Sequence, residues 1–268
     1  MDPLFFGGLL VALVAIVVST IMDGNSFGPL IGPSSLVLVI VGALGSSLMA
    51  YRMTDVKSLP GSLQKALLGA PPAADACIGE LARLADVARR EGMLALEAKL
   101  ADIEDAFVRG GLQLVVDGLD AEGVAEVLSI DMAALDARHR SAISFWRTLG
   151  AAAPSFGMLG TVIGLINMLG DLSDPAQLGI GMSMALLTTL YGVFFANVVF
   201  LPIATRLERM NTMELDARNI ALDGILAIQS GASPRALVER LETYLPPSDR
   251  KGHAARTGAP VAAVKEAA

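Results

Sequence analysis

The chain has 268 residues and a formal net charge of −7, with 53% hydrophobic and 18% charged residues. A soluble domain usually carries about 25% charged residues, and here all 20 basic residues fall within Arg52–Arg147 and Arg206–Lys265. That pattern excludes an ordinary soluble globule and a disordered chain, and the acidic balance argues against nucleic-acid binding, which needs a basic face.

A helix crosses a bilayer core with about 20 predominantly apolar residues. Pro3–Met22 supplies 20 uncharged residues, Gly24–Tyr51 supplies 28, Thr148–Gly170 supplies 23 and Pro175–Thr205 supplies 31. The predicted fold is therefore an all-α membrane protein with four transmembrane helices and a helical cytoplasmic domain inserted between the second and third. The first stretch reads as a span and not as a cleaved signal. Its flank lacks Lys and Arg, its apolar run is too long, and a second span follows after a short loop. The loops 23–33 and 171–179 carry no basic residue, whereas Arg52, Lys57, Arg147, Arg206 and Arg209 flank the other span ends. The positive-inside rule then places both long segments and both termini in the cytoplasm. The single Cys77 falls in that compartment, so no disulfide forms within the chain.

Taken in order, residues 1–51 hold the first two spans and 52–147 form the cytoplasmic helical domain. Residues 148–205 hold the third and fourth spans, 206–246 form cytoplasmic amphipathic helices, and 247–268 form a disordered tail. Inside the first cytoplasmic block, Ile78, Leu81, Leu84, Ala85 and Ala88 recur at helical spacing, and Gly92 interrupts them. Leu94, Leu96, Leu100 and Ile103 resume the pattern, and Gly110 with Gly111 is expected to break it again. Ala121–Phe145 should run on into the third span. Ser233 followed by Pro234 reads as the N-cap and first position of a short last helix to Tyr244.

Catalytic chemistry finds no set of residues. His139 and His253 lie far apart with no Cys or carboxylate at ligand spacing, and neither a phosphate-binding Gly-rich loop nor a Ser/His/Asp set is present. No enzyme activity, cofactor or metal site is expected. None of the four spans carries Asp, Glu, Lys, Arg or His. Ion pathways usually rely on an ionisable group within the membrane, so in an ion-driven machine the carboxylate must come from a partner. The third span instead carries Pro154, Gly157, Thr161 and Gly164, and the fourth Ala185, Thr188, Thr189, Gly192 and Ala196. Small residues let helices approach closely. The hydroxyls bond their own backbone one turn back, bond across helices, or coordinate a cation. Pro154 and Pro202 near the cytoplasmic span ends free a carbonyl and permit a bend. In the loop, Arg89, Arg90 and Glu97 surround the break at Gly92, either as a solvated surface or as a protein-contacting patch.

The order of these segments resembles the A subunit of flagellar motor stators, the MotA/PomA type. Specific strings carry the resemblance: GAAAPSFGMLGTVIGL from Gly150, ALLTTLYG from Ala185, NVVFLPIA from Asn197 and LDGILAIQ from Leu222. It covers about residues 1–246, and the first two spans match in pattern more than in letters. The resemblance implies a pentamer of A subunits around two copies of a single-span B-type stator subunit, whose membrane Asp binds the transported ion. It implies a bacterial inner-membrane location and a flagellar rotor switch protein as the cytoplasmic partner. Carried over position by position, Arg89 and Glu97 match rotor-facing charges, with Arg90 at a neighbouring charged position. Pro154 and Pro202 match prolines tied to conformational coupling. Thr161 and Thr189 match hydroxyls beside the partner's Asp, and Thr188 accompanies Thr189. The three threonines resemble sodium-driven more than proton-driven members. Two alternatives remain at this point. An ExbB/TolQ-type energiser usually has three spans with its large loop after the first, and a non-conducting membrane scaffold would use the threonines only for packing.

Overall fold

The computed structural model describes residues 3–24, 27–69, 74–170 and 175–250. Every regular element among them is helical. The chain divides into two compact units, one formed by Met1–Ala70 with Arg138–Met210 and the other by Pro71–Ala137 with Asn211–Ala268.

The first unit begins with α1, Pro3–Met22, which is apolar all round and mostly exposed along its described side chains. Such a helix is suited to lipid or to other helices. Helix α2, Pro33–Leu48, starts with proline at its first position, where the missing N–H costs nothing. Ser35, Val39, Ala43 and Ser47 form a single buried stripe along it, repeating every fourth residue. Helix α3, Met53–Leu68, follows, its start fixed by the Arg52 N–H donating to the Asp55 carboxylate at 3.3 Å.

Helix α6 runs unbroken over 50 residues, Ala121–Gly170, as the sequence predicts. It contributes residues to both units. Helix α7, Pro175–Phe194, passes through a π-helical turn, Phe195–Phe200, into α8, Leu201–Gln229. Val39, Ala43, Phe145, Leu149, Ala153, Ala196 and Phe200 close one core of this unit. Ala66, Ile143, Ile203 and Leu207 close another, where the Trp146 indole N–H donates to Ser62 of α3 at 3.2 Å. Among the described residues, three helical stretches are long and apolar enough to cross a membrane: Gly28–Leu48, Ala121–Gly170 and Leu178–Gln229. Gly7–Met22 is a shorter apolar stretch.

The second unit holds α4, Ala74–Glu91, a 3-10 helix, Met93–Asp102, and α5, Ala106–Val116. Its core also takes residues from α8 and from α9, Pro234–Leu241, including Leu81, Leu96, Leu112, Ile225, Ile228, Leu237 and Leu241. Asp105 caps α5 by accepting from the Phe107 and Val108 N–H groups at 2.8 and 3.3 Å. The Ser233 hydroxyl caps α9 by accepting from Ala236 N–H at 3.3 Å, as its sequence predicts.

The expected break at Gly110 and Gly111 is absent, because α5 continues through both. Gly111 is there for close approach: a methyl group on it would lie 2.6 Å from Ile225 Cδ1 and 2.9 Å from Leu128 Cδ1. The α-helical segment expected after Gly92 is instead the 3-10 helix. The tail from 251 onward, with His253, lies outside the described residues.

Candidate functional site

Helices α6 and α7 meet backbone to backbone, and glycine makes this possible. A methyl group on Gly192 would stand 2.8 Å from the Ala153 carbonyl oxygen and 3.1 Å from the Gly157 and Pro154 Cα atoms. One on Gly157 would stand 2.9 Å from the Thr188 carbonyl, and one on Gly164 2.7 Å from the Gly181 carbonyl. The pairs 157 with 192 and 164 with 181 show that the helices run antiparallel. Small residues three or four apart are the membrane solution to close packing, since lipid supplies no hydrophobic drive between helices.

Thr161 lies midway along this seam. Its Oγ1 is 2.5 Å from Thr189 Oγ1, 3.1 Å from the Gly157 carbonyl and 3.1 Å from the Ala185 carbonyl. Thr189 Oγ1 is 3.4 Å from that same Ala185 carbonyl. Each hydroxyl has one hydrogen and two lone pairs, so four oxygens share two donors here. The cluster is rich in acceptors and holds no formal charge. Thr161 is half-buried and Thr189 exposed, so the cluster opens off the helix pair.

Thr188 belongs elsewhere. It is completely buried, its Oγ1 donates back to its own helix, at 3.0 Å from both the Met184 and Ala185 carbonyls, and its side chain covers Gly160. Adjacent residues on a helix point about 100° apart, and here that angle separates the packing threonine from the one in the open cluster.

The two prolines sit at different levels of the helix pair, Pro154 beside Gly192 and Pro202 beyond it toward Gly150. Pro154 leaves the Gly150 carbonyl without its usual donor, and a methyl group on Gly150 would lie 2.7 Å from Leu201, the residue before Pro202. Just ahead of Pro202 the Leu201 N–H reaches back to the Ala196 carbonyl, closing the π-helical turn. A proline ring clashes with the carbonyl four residues earlier in a regular α-helix, and here the widened turn lies directly ahead of the proline. This π turn was missed in the sequence. So was the clamp made by Tyr191, whose hydroxyl accepts from Gly32 N–H at 2.9 Å and donates to the Leu30 carbonyl at 2.5 Å. It satisfies irregular backbone just ahead of α2.

In the second unit, Arg89 and Arg90 occupy the last turn of α4, and Glu97 lies on the 3-10 helix beyond Gly92. All three are exposed, and Arg90 pairs with Asp86 at 2.9 Å. Cys77 on α4 is half-buried. Burial, with Asp105 and Glu80 nearby, pushes its thiol up to about 11, so it stays protonated at neutral pH. His139 is half-buried on α6, and no group of three potential metal ligands occurs among the described residues.

A family model described as the MotA/TolQ/ExbB proton channel family matches residues 99–219. Motility protein A of Borreliella burgdorferi is 36% identical over 236 residues, 88% of this chain and 91% of that protein. The chain belongs to the MotA/TolQ/ExbB family, in its motility protein A group. Chemotaxis protein PomA of Vibrio alginolyticus is likewise 36% identical, over 86% of this chain and 90% of its own length. The solved structure of C. jejuni MotAB superposes with a TM-score of 0.88 at 28% identity, covering 93% of this chain and 98% of that one. A member of this channel family with three membrane-length apolar helices is membrane-embedded. The residues matched by the family model include Pro154, Thr161, Thr188, Thr189 and Pro202, and begin beyond Arg89, Arg90 and Glu97.

Proposed function

We propose that this chain is the A subunit of a flagellar motor stator, coupling ion flow to torque on the flagellar rotor. The observation that carries the reading is the Thr161–Thr189 cluster, an open set of uncharged oxygens on apolar stretches, 148–170 and 175–205, that hold no Glu, Lys, Arg, His or Asp. Such a site completes a cation's shell but does not by itself offset a charge in the membrane, where an unpaired charge costs several kcal/mol. A partner must bring the negative charge. We assign that role to the membrane Asp of a single-span B subunit, in keeping with the MotAB complex whose structure this chain resembles.

In the same reading, four transmembrane helices sit in the bacterial inner membrane with both termini in the cytoplasm. Five A subunits surround two B subunits, and the cytoplasmic helices between the second and third spans reach the rotor switch protein. Sodium is the coupling ion. When Thr161 donates to Gly157 and Thr189 to Ala185, both hydroxyls release each other and present lone pairs outward together. A dehydrated sodium ion uses such oxygens, whereas a proton needs only the carboxylate. Pro154 and Pro202 are the places where α6 and α7–α8 flex as the ion passes.

The rotor contact is assigned to Arg89 and Glu97, with Arg90 beside them. A strain lacking this chain is expected to build flagella that do not rotate, with swimming restored by the wild-type gene. Arg89→Glu and Glu97→Arg, each alone, should reach the membrane at normal levels yet restore only a fraction of wild-type swimming speed. Full speed from both single reversals would overturn the assignment.

A further inference from the structure

Exposed charge pairs contribute little net binding energy, with a median of about 0–1 kcal/mol. They steer an encounter and set its register, while durable contacts gather around a buried apolar centre. A rotor contact made only by Arg89, Arg90 and Glu97 lacks such a centre. The structure offers one. Leu94 is 76% exposed, the most exposed large apolar residue among the described residues of its unit, ahead of Ile130 at 62%.

A single exposed leucine is ordinary on a protein surface. This one is held in place from both sides. Gly92, at φ +90°, turns the chain sharply out of α4 in a conformation that disfavours any side chain. The 3-10 helix is then tied down by Leu96 and Leu100, 0% and 6% exposed in the unit's core, with Met93 packed against the same core. Leu94 is left pointing outward from a fixed backbone. Leu94 and Glu97, three positions apart on the 3-10 helix, are both exposed. The arginines of the α4 terminus lie on the other side of the turn. Along the chain the exposed side chains therefore run basic, apolar, acidic: Arg89 and Arg90, then Leu94, then Glu97.

We infer that Leu94 is the apolar anchor of the rotor contact, an inference that rests on the stator reading above. Its occupant is a rotor helix surface of complementary pattern: an acidic residue facing Arg89, a base facing Glu97, and an apolar recess between them that takes the leucine side chain. The charges align the two surfaces at each step, and Leu94 holds them once aligned.

The test uses the whole A–B complex in lipid nanodiscs and the purified rotor switch protein of the same organism. Binding is measured at low and high salt for wild type, Leu94→Ala, Leu94→Asp, Leu94→Met and Arg89→Ala, with melting of each complex as the check on assembly. Leu94→Ala should weaken binding about tenfold, and equally at both salt concentrations. Leu94→Asp should weaken it further, and Leu94→Met should keep it. The Arg89→Ala defect should shrink at high salt, as expected of a screened charge. Wild-type binding by both Leu94→Ala and Leu94→Asp would overturn the inference and leave the stator reading intact. Dispersal of the complex by Leu94→Ala would also overturn it, by placing the residue between copies of the chain. Absence of binding by the wild-type complex would overturn the stator reading itself.

Discussion

Gly192→Val should abolish swimming and the folded complex together. The added methyl groups meet backbone and not flexible side chains: the Ala153 carbonyl at 2.8 Å and the Cα atoms of Pro154 and Gly157 at 3.1 Å. No rotamer change relieves those contacts, so α6 and α7 must separate. Overpacking usually costs about 1–3 kcal/mol, and a backbone clash lies at or above the top of that range. Separation also pulls Thr161 away from Thr189. Gly45→Ala is the control, since nothing lies within 4 Å of its added methyl group. Melting of the purified complex should fall sharply or vanish for Gly192→Val and stay at the wild-type value for Gly45→Ala. Equal melting and swimming in the two variants would refute the close seam.

The second large effect concerns the hydroxyls. Thr189→Ala and Thr161→Ala should each raise the external sodium concentration needed for half-maximal swimming speed about tenfold, at fixed proton-motive force. The estimate follows from the ~1.5–3 kcal/mol of a hydrogen-bonding contact to a charged group. Thr189→Ser keeps the oxygen and should keep the wild-type sodium dependence. Thr188→Ala separates packing from ion handling. Its hydroxyl donates to its own helix, and its side chain fills the space beside Gly160. That variant should lower the melting temperature without shifting the sodium dependence. Swimming speed independent of sodium in the wild type would remove sodium as the coupling ion while leaving the seam as described.

Some of this was legible in the sequence for a physical reason. A bilayer imposes a length rule, so long uncharged runs mark candidate spans, and three helical stretches among the described residues are long and apolar enough to cross. The continuation of Ala121–Phe145 into the third span was visible because no glycine pair or proline interrupts the helical pattern before Pro154. The glycine and alanine spacing of the seam was equally visible.

What stayed hidden depends on partners distant in the chain. Tyr191 and Gly32 are 159 positions apart, and nothing local marks that tyrosine as a clamp for another loop. The π-helical turn before Pro202 is one of several ways a helix accommodates proline, and packing selects it. Gly110 and Gly111 read as a break because glycine is a poor helix former. Burial against Ile225 and Leu128 overrides that preference, since only glycine fits there. Thr188 and Thr189 look equivalent as a pair of letters, and helix orientation alone assigns one to packing and the other to the open oxygen cluster.

In the proposed stator, this chain supplies oxygens and a moving scaffold while another chain supplies the acid. Ion flux into liposomes tests it directly, comparing this chain alone, this chain with its single-span partner, and the pair with the partner's membrane Asp replaced by Asn. Any periplasmic plug in the partner would be removed so that the path is open. Flux is expected only from the pair with the Asp intact. Flux through this chain alone, or undiminished flux through the Asn pair, would contradict it.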